Sequence, residues 1–191
     1  MIEIEVLVKV NNSVDYIEKC LSRFGISHDF EIIDTYYFDP KREDLLPCKG
    51  KLFSCFRLRE KQGKAFLTYK KDYYNDSTWV YSDEYETEIG DILNTKQIIK
   101  SLGFIELLKL SSRKKYYYFD DYEIVLEVVE NLGIFLEVEY KAPSTKKTIE
   151  ENKEKIRKFI SELNLDVSEE LNSGKPELYL QIHGLPDYHS E

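Results

Sequence analysis

The chain has 191 residues, of which 42% are hydrophobic and 14% aromatic, enough for a real core in one domain or two small ones. Its net charge of −9 argues against a general nucleic-acid binder, which needs a basic footprint. No apolar run approaches the ~20 residues that span a bilayer. The acidic, alternating N-terminus "MIEIEVLVKV" is not a signal peptide.

Residues 2–10 alternate: Ile2, Ile4, Val6, Val8 and Val10 on one face, Glu3, Glu5, Leu7 and Lys9 on the other. This is a strand with an apolar and a charged face. "NNSVDYIEKCLSRFG" predicts a helix capped near Asn12 or Ser13 and stopped at Gly25. "FEIIDTYYFDP" is a strand ended by Pro40, and "KREDLLPCKGK" a loop. Strands over 53–60 and 65–72 turn at "KQGK"; another follows over 79–89. "NTKQIIKSLGF" is a short helix. Residues 113–119, 122–130 and 134–141 are strands turning at "DD" and "NLG". "STKKTIEENKEKIRKFISELNL" is a long helix whose charges at 146–158 read as a solvated face, and "KPELYLQIHGL" adds a short helix. The tyrosines of "DTYYF" and "KKYYYF" read as strand packing.

Cys20, Cys48 and Cys55 show no close zinc spacing and read as reduced thiols of a cytoplasmic protein. His28, His183 and His189 form no metal motif. Strand, helix and Phe-Gly or Leu-Gly recur at 3–25 and 84–103, which suggests two related halves of one barrel. The expected fold is α+β: a closed or nearly closed antiparallel β-barrel with helices packed outside, in a single domain over 1–191.

Three Glu-x-Glu pairs, Glu3/Glu5, Glu86/Glu88 and Glu137/Glu139, sit on strand-like runs. In a strand, i and i+2 share a face, so each pair sets two carboxylates side by side. Hard divalent cations prefer such oxygens. Arg57 and Arg59 share a face in the same way and suit bidentate phosphate contact. The helices need an apolar sheet face to cover, so the charged faces are expected to line the lumen. Unpaired buried charge is too costly for a dry core, so this would be a hydrated tunnel balanced by a ligand.

In order, "EIEVLVK", "FRLRE", "LTYKK", "DEYETEI" and "VVENLGIFLEVE" resemble the CYTH superfamily of class IV adenylyl cyclases, thiamine triphosphatases and triphosphate tunnel metalloenzymes. The resemblance covers roughly 1–141 and, more loosely, the rest. It implies that Glu3 and Glu5 are the acids of an ExExK signature. Glu137 and Glu139 would be the acids of the late strand, and Glu127 would stand where an Asp is common. Together these five would hold Mg²⁺ or Mn²⁺. Arg57 and Arg59 would be the RxR that binds triphosphate, joined by Lys70 and Lys114 in binding and catalysis. The signature lysine belongs at position 7, where this chain has Leu7, with Lys9 one step further along the face as a catalytic substitute. Ser82 and Ser112 also stand where basic residues are common.

The function implied is metal-dependent phosphohydrolysis of inorganic, thiamine or nucleoside triphosphate. The alternatives are a class IV adenylyl cyclase making cyclic AMP from ATP, and a degenerate module that binds triphosphate, polyphosphate or an RNA 5′ end. The expected partner is a small-molecule triphosphate, with a homodimer left open, and neither membrane nor nucleic acid.

Overall fold

The computed structural model describes residues 2–48, 51–76, 78–141 and 148–184. The strands are β1 (Ile2–Glu3), β2 (Glu5–Lys9), β3 (Gly25–Phe38), β4 (Ser54–Lys61), β5 (Lys64–Asn75), β6 (Thr78–Ile89), β7 (Ile105–Phe119), β8 (Tyr122–Val129) and β9 (Gly133–Tyr140). The helices are α1 (Val14–Leu21), α2 (Ile92–Ser101), α3 (Ile149–Glu162) and α4 (Lys175–His183). The 144–147 part of the expected long helix, Leu185 of the expected tail helix, and His189 lie outside the described residues. Among the described residues no helix is long and apolar enough to cross a membrane.

All strands join one antiparallel sheet in the order β1-β6-β5-β4-β3-β7-β8-β9-β2. Its two ends, β1 and β2, are separated in the chain by Ile4 alone. The N-terminal strand therefore pairs with β6 through Ile2 and Glu3 and with β9 through Glu5–Lys9, joining the sheet's two edges. Where β1 stops, the 166–172 segment fills the seam. Leu171 and Ser168 donate backbone N–H to the carbonyls of Leu7 and Lys9, and Trp79 N–H bonds the Asn172 side chain.

The alternation of β2 sets the layers. Ile4, Val6 and Val8 face outward into a core with Ile17 and Leu21 of α1 and Ile149, Ile156, Phe159 and Ile160 of α3. Ser13 caps α1, accepting from Tyr16 N. Ile99 of α2 covers Leu58 and Tyr37 on the outer face of β3 and β4. A third core lies inside, where Leu7, Tyr36, Phe38, Leu110, Phe135 and Leu180 of α4 fill one end of the lumen. The β4–β5 turn places Gln62 at φ 51° and Gly63 at φ 73°, the two positive values of a tight hairpin in which glycine fits without strain.

Three expectations change. The strand expected from 113 begins at Ile105, and the one expected from 30 begins at Gly25, because β3 and β7 pair along their lengths. Tyr36 faces Leu108 and Tyr37 faces Glu106, so Leu107 is an extra residue, a bulge. It turns Leu107 and Leu108 both inward and hides the period-two signal. The α3 charges are not all solvated. Lys153 is 2% exposed and donates to the Trp79 carbonyl and Glu170, which also accepts from Arg157. These bonds pin the seam segment to α3.

Candidate functional site

The charged faces line a cavity of about 120 Å³ inside the barrel. Seven carboxylates (Glu3, Glu5, Asp34, Asp72, Glu84, Glu127 and Glu137) face five cations (Arg57, Arg59, Lys70, Lys114 and Lys175). A larger groove, about 1240 Å³, runs outside between α1 and the β4–β5 hairpin, but it contains none of the residues expected to bind triphosphate or metal. Eight of the residues expected from the sequence gather in the lumen instead.

The lumen charges are paired with one another rather than left for a ligand alone. Lys70 Nζ lies 2.6 Å from both Glu3 Oε2 and Glu5 Oε1, and 3.6 Å from Glu84. Arg59 forks onto Asp34 with two bonds of 2.8 Å. Arg57 reaches Asp34 at 3.8 Å, Glu84 at 3.7 Å and Glu86 at 3.5 Å. Lys114 sits 3.3 Å from Glu127, and Lys175 bridges Glu127 and Glu137. Among the described residues of the lumen one buried donor stays unmatched: Arg57 Nε has no hydrogen-bond partner. Of the three Glu-x-Glu pairs, Glu86/Glu88 is split, Glu86 accepting from Thr68 and Glu88 pairing with exposed Lys64.

Electrostatics sorts these groups. Burial raises Asp34's carboxyl, but Arg59 and Arg57 outweigh it and hold it below the usual range. Burial likewise opposes Lys114 and Lys175 at Glu127 and Glu137, and the lysines win, lowering both. Glu5 goes the other way. Burial, with Glu3 and Glu137 nearby, lifts it well above the carboxylate range despite Lys70. The Glu5 corner is thus short of positive charge. Its donors are hard oxygens, which Mg²⁺ and Mn²⁺ favour, so the chemistry of the set fits a divalent cation. Among the described residues no three His, Cys, Asp or Glu side chains are gathered closely enough to hold a metal as they stand. In this arrangement lysine ammonium groups take the place next to the acids.

Residues 1–173 match the CYTH domain. The chain belongs to the CYTH family. A relative named "Putative adenylate cyclase MJ0240", from Methanocaldococcus jannaschii, is 31% identical over 97% of this chain and 100% of that protein. The PH1819 protein of Pyrococcus horikoshii OT3 superposes with a TM-score of 0.80 at 28% identity, over 95% of this chain and 99% of that one. HpAC1 of Hippeastrum, for which a dominant triphosphatase activity is described, has a TM-score of 0.63 over 95% and 96% of the two chains; at 16% identity that likeness is one of fold.

Against the CYTH expectation, Glu3, Glu5, Glu127, Glu137, Arg57, Arg59, Lys70 and Lys114 all line the lumen. Lys9 does not. It is exposed, with its ammonium beside Gly133 on the outer rim. Leu7 belongs to the apolar end of the lumen, directly across from Glu137. Ser82 is buried, donating to Asp72 and accepting from Trp79 Nε1. Glu139 lies outside the lumen cavity, near Glu3 and Glu123 and bonded to Lys141 at 2.6 Å.

Sequence reasoning missed Asp34 and Lys175. Lys175 is the first residue of α4, and Glu177 fixes that helix start by accepting from Gly174 N and Leu52 N. A lysine at a helix N-terminus opposes the macrodipole. That mismatch was the available signal that its charge is used elsewhere.

Glu139 carries a pH prediction. Burial, then Glu3, push its carboxyl from 4.5 up to about 7, against Lys141. A raised folded-state value gives stability that is full below 4.5 and lost as pH rises through about 7. Glu139→Gln is expected to flatten that slope and to stabilise the protein by about 2 kcal/mol near pH 8. Urea unfolding near pH 5 and near pH 8 measures it; an unchanged slope would assign the titration to another group.

Proposed function

We propose that this CYTH protein is a metal-dependent phosphohydrolase that holds a triphosphate in its lumen. The observation that carries the reading is the Arg57–Arg59 pair on one strand face, with Arg57 Nε buried and unmatched. Two guanidinium groups in file, one with a free donor, suit phosphate oxygens. Asp34 anchors both arginines, so their geometry is set before a ligand arrives. Lys70 and Lys114 sit on neighbouring walls and neutralise further oxygens.

The acid excess of the lumen supports metal dependence. Seven carboxylates against five cations would repel a bare triphosphate, so the anion enters with divalent cations that balance both. Glu3, Glu5, Glu127 and Glu137 would hold Mg²⁺ or Mn²⁺, with Glu139 at the rim. When bound, the metal would supply charge neutralisation and polarisation of phosphate oxygens. The chain's own residues do the rest. The arginines orient the phosphates, and Lys70 and Lys175, displaced from their carboxylates, turn their ammonium groups to the anion.

Attack by water on a terminal phosphorus gives phosphate release. A second reading, attack by the ribose 3′-hydroxyl of ATP on its own α-phosphorus with pyrophosphate leaving and cyclic AMP as product, is favoured by the name of the Methanocaldococcus jannaschii relative. One assay panel separates them: inorganic triphosphate, thiamine triphosphate and ATP, each with Mg²⁺ or Mn²⁺, reading phosphate and cyclic AMP. Phosphate release supports the hydrolase. Tight binding without either product would leave a binding module.

Glu5→Gln and Glu137→Gln are expected to weaken Mn²⁺ binding and abolish turnover without unfolding the protein. Calorimetric Mn²⁺ titration beside the assay tests this, and wild-type activity in both variants would remove the metal assignment.

A further inference from the structure

Strand β4 carries three cations at two-residue steps, Arg57, Arg59 and Lys61. Such residues share a face, about 6.6 Å apart per step. The arginines are tied to Asp34. Among the described residues no carboxylate lies within ion-pair distance of Lys61. Its ammonium instead rests 4.0 Å from the centre of the Phe30 ring and 5.0 Å from that of Tyr116. The two rings meet edge to face, 5.9 Å apart.

By register each of these groups falls on the same sheet face as the lumen residues, beyond the cavity itself, and Lys61 also borders the outer groove. Phe30 lies across from Lys114, and Tyr116 is two residues beyond Lys114 on the same face. Lys61 pairs with Ile32, two residues from Asp34. The far end of the lumen is filled by apolar side chains, so the Lys61 end is the mouth. Burial there, with Arg59 and Lys114 nearby, disfavours the charge of Lys61. Glu86 and Glu123 pull the other way but more weakly, so this cation, held against cations with no acid in ion-pair contact, gains from an incoming anion.

Resting on the triphosphate reading above, we propose that Lys61, carried on Phe30 and Tyr116, binds the free terminal phosphate of an inorganic triphosphate at the mouth and so selects it over a nucleoside triphosphate. An inorganic triphosphate ends in a free phosphate at both ends. In ATP one end is an ester, with less charge and a nucleoside attached. The ester end offers Lys61 a poorer partner. The nucleobase finds no open stacking platform either, because the lysine covers the face where Phe30 and Tyr116 meet.

The test is calorimetric binding of inorganic triphosphate and of ATP, with Mg²⁺, to the native protein and to Lys61→Gln, Lys61→Arg and Arg57→Ala. The native protein is expected to prefer inorganic triphosphate. Lys61→Gln is expected to lose about tenfold in affinity for it, with ATP little changed, while Lys61→Arg keeps the preference. Arg57→Ala weakens both ligands. A native preference for ATP, or a ratio of affinities unmoved by Lys61→Gln, overturns the role of Lys61 even if Arg57→Ala behaves as expected. If the native protein binds neither ligand, the triphosphate reading itself fails. Melting curves of each variant show that the fold is retained.

Discussion

Asp34→Asn is expected to destabilise the protein by about 3–5 kcal/mol, because removing one partner of a buried pair strands the other charge. Asp34 is 5% exposed. It takes both bonds of the Arg59 fork at 2.8 Å and the charge of Arg57 at 3.8 Å. Without its carboxylate, Arg59 loses both bonds of its fork and stands beside Arg57 on one strand face, where, among the described residues, only Arg57 is still near acids, Glu84 and Glu86. Urea unfolding checks the value, with the midpoint falling at an unchanged slope. Triphosphate is expected to raise the melting temperature of the variant more than that of the native protein, because the anion replaces the missing carboxylate. A loss below about 1 kcal/mol, the range of exposed pairs, would mean that water already screens the arginines.

Arg57→Ala is expected to raise the Kd for inorganic triphosphate by about ten- to a hundredfold, the worth of one or two charge-assisted contacts. Arg57 Nε has no protein partner, so that donor is read in ligand binding, while the lost contacts to Asp34, Glu84 and Glu86 are read in the melting temperature. Arg57→Lys is expected to recover little, since a point charge cannot reproduce the planar fork. Titration calorimetry with Mg²⁺ present reads both variants. Native affinity in Arg57→Ala would place the ligand elsewhere.

Much of the barrel could be read from residue patterns because its strands keep one apolar and one charged face. Ile4, Val6 and Val8 against Glu3 and Glu5 fixed the inside and outside of the whole sheet. The pattern failed where the backbone departs from period two. Leu107 and Leu108 both point inward at a bulge, and the first half of β7 looked like no strand at all. The site divided in the same way. Glu3, Glu5, Glu127, Glu137, Arg57, Arg59, Lys70 and Lys114 lie on strands whose spacing speaks for itself. Lys175 arrives from a helix whose own pattern gives no hint of the lumen, and its partners Glu127 and Glu137 are far away in the chain. Asp34 sits between apolar and aromatic neighbours in "EIIDTYYF", where one acid reads as an interruption. Leu7 reads as a missing lysine in a family pattern, yet it packs as a core residue against the apolar end of the lumen.

The split of the N-terminal strand at Ile4 also has a kinetic meaning. Glu3 pairs with Ser82 and Glu5 with Glu139, so the seam joins the most distant parts of the sheet. Contacts that far apart in the chain are slow to form. The hairpins β4–β5, β5–β6, β7–β8 and β8–β9 are local and are expected first; the longer-range β3–β7 pairing then joins them into an open trough whose arginines and acids stay wetted. Only when residues 2–9 and the 166–172 segment dock together is the trough sealed and Glu5 desolvated, in the same step that brings it Lys70. Folding of this protein thus postpones the dehydration of its ions to the final event, when each ion already has its counter-charge beside it. An amino-terminal extension that hinders docking of Ile2 and Glu3 would slow that event while leaving the trough intact.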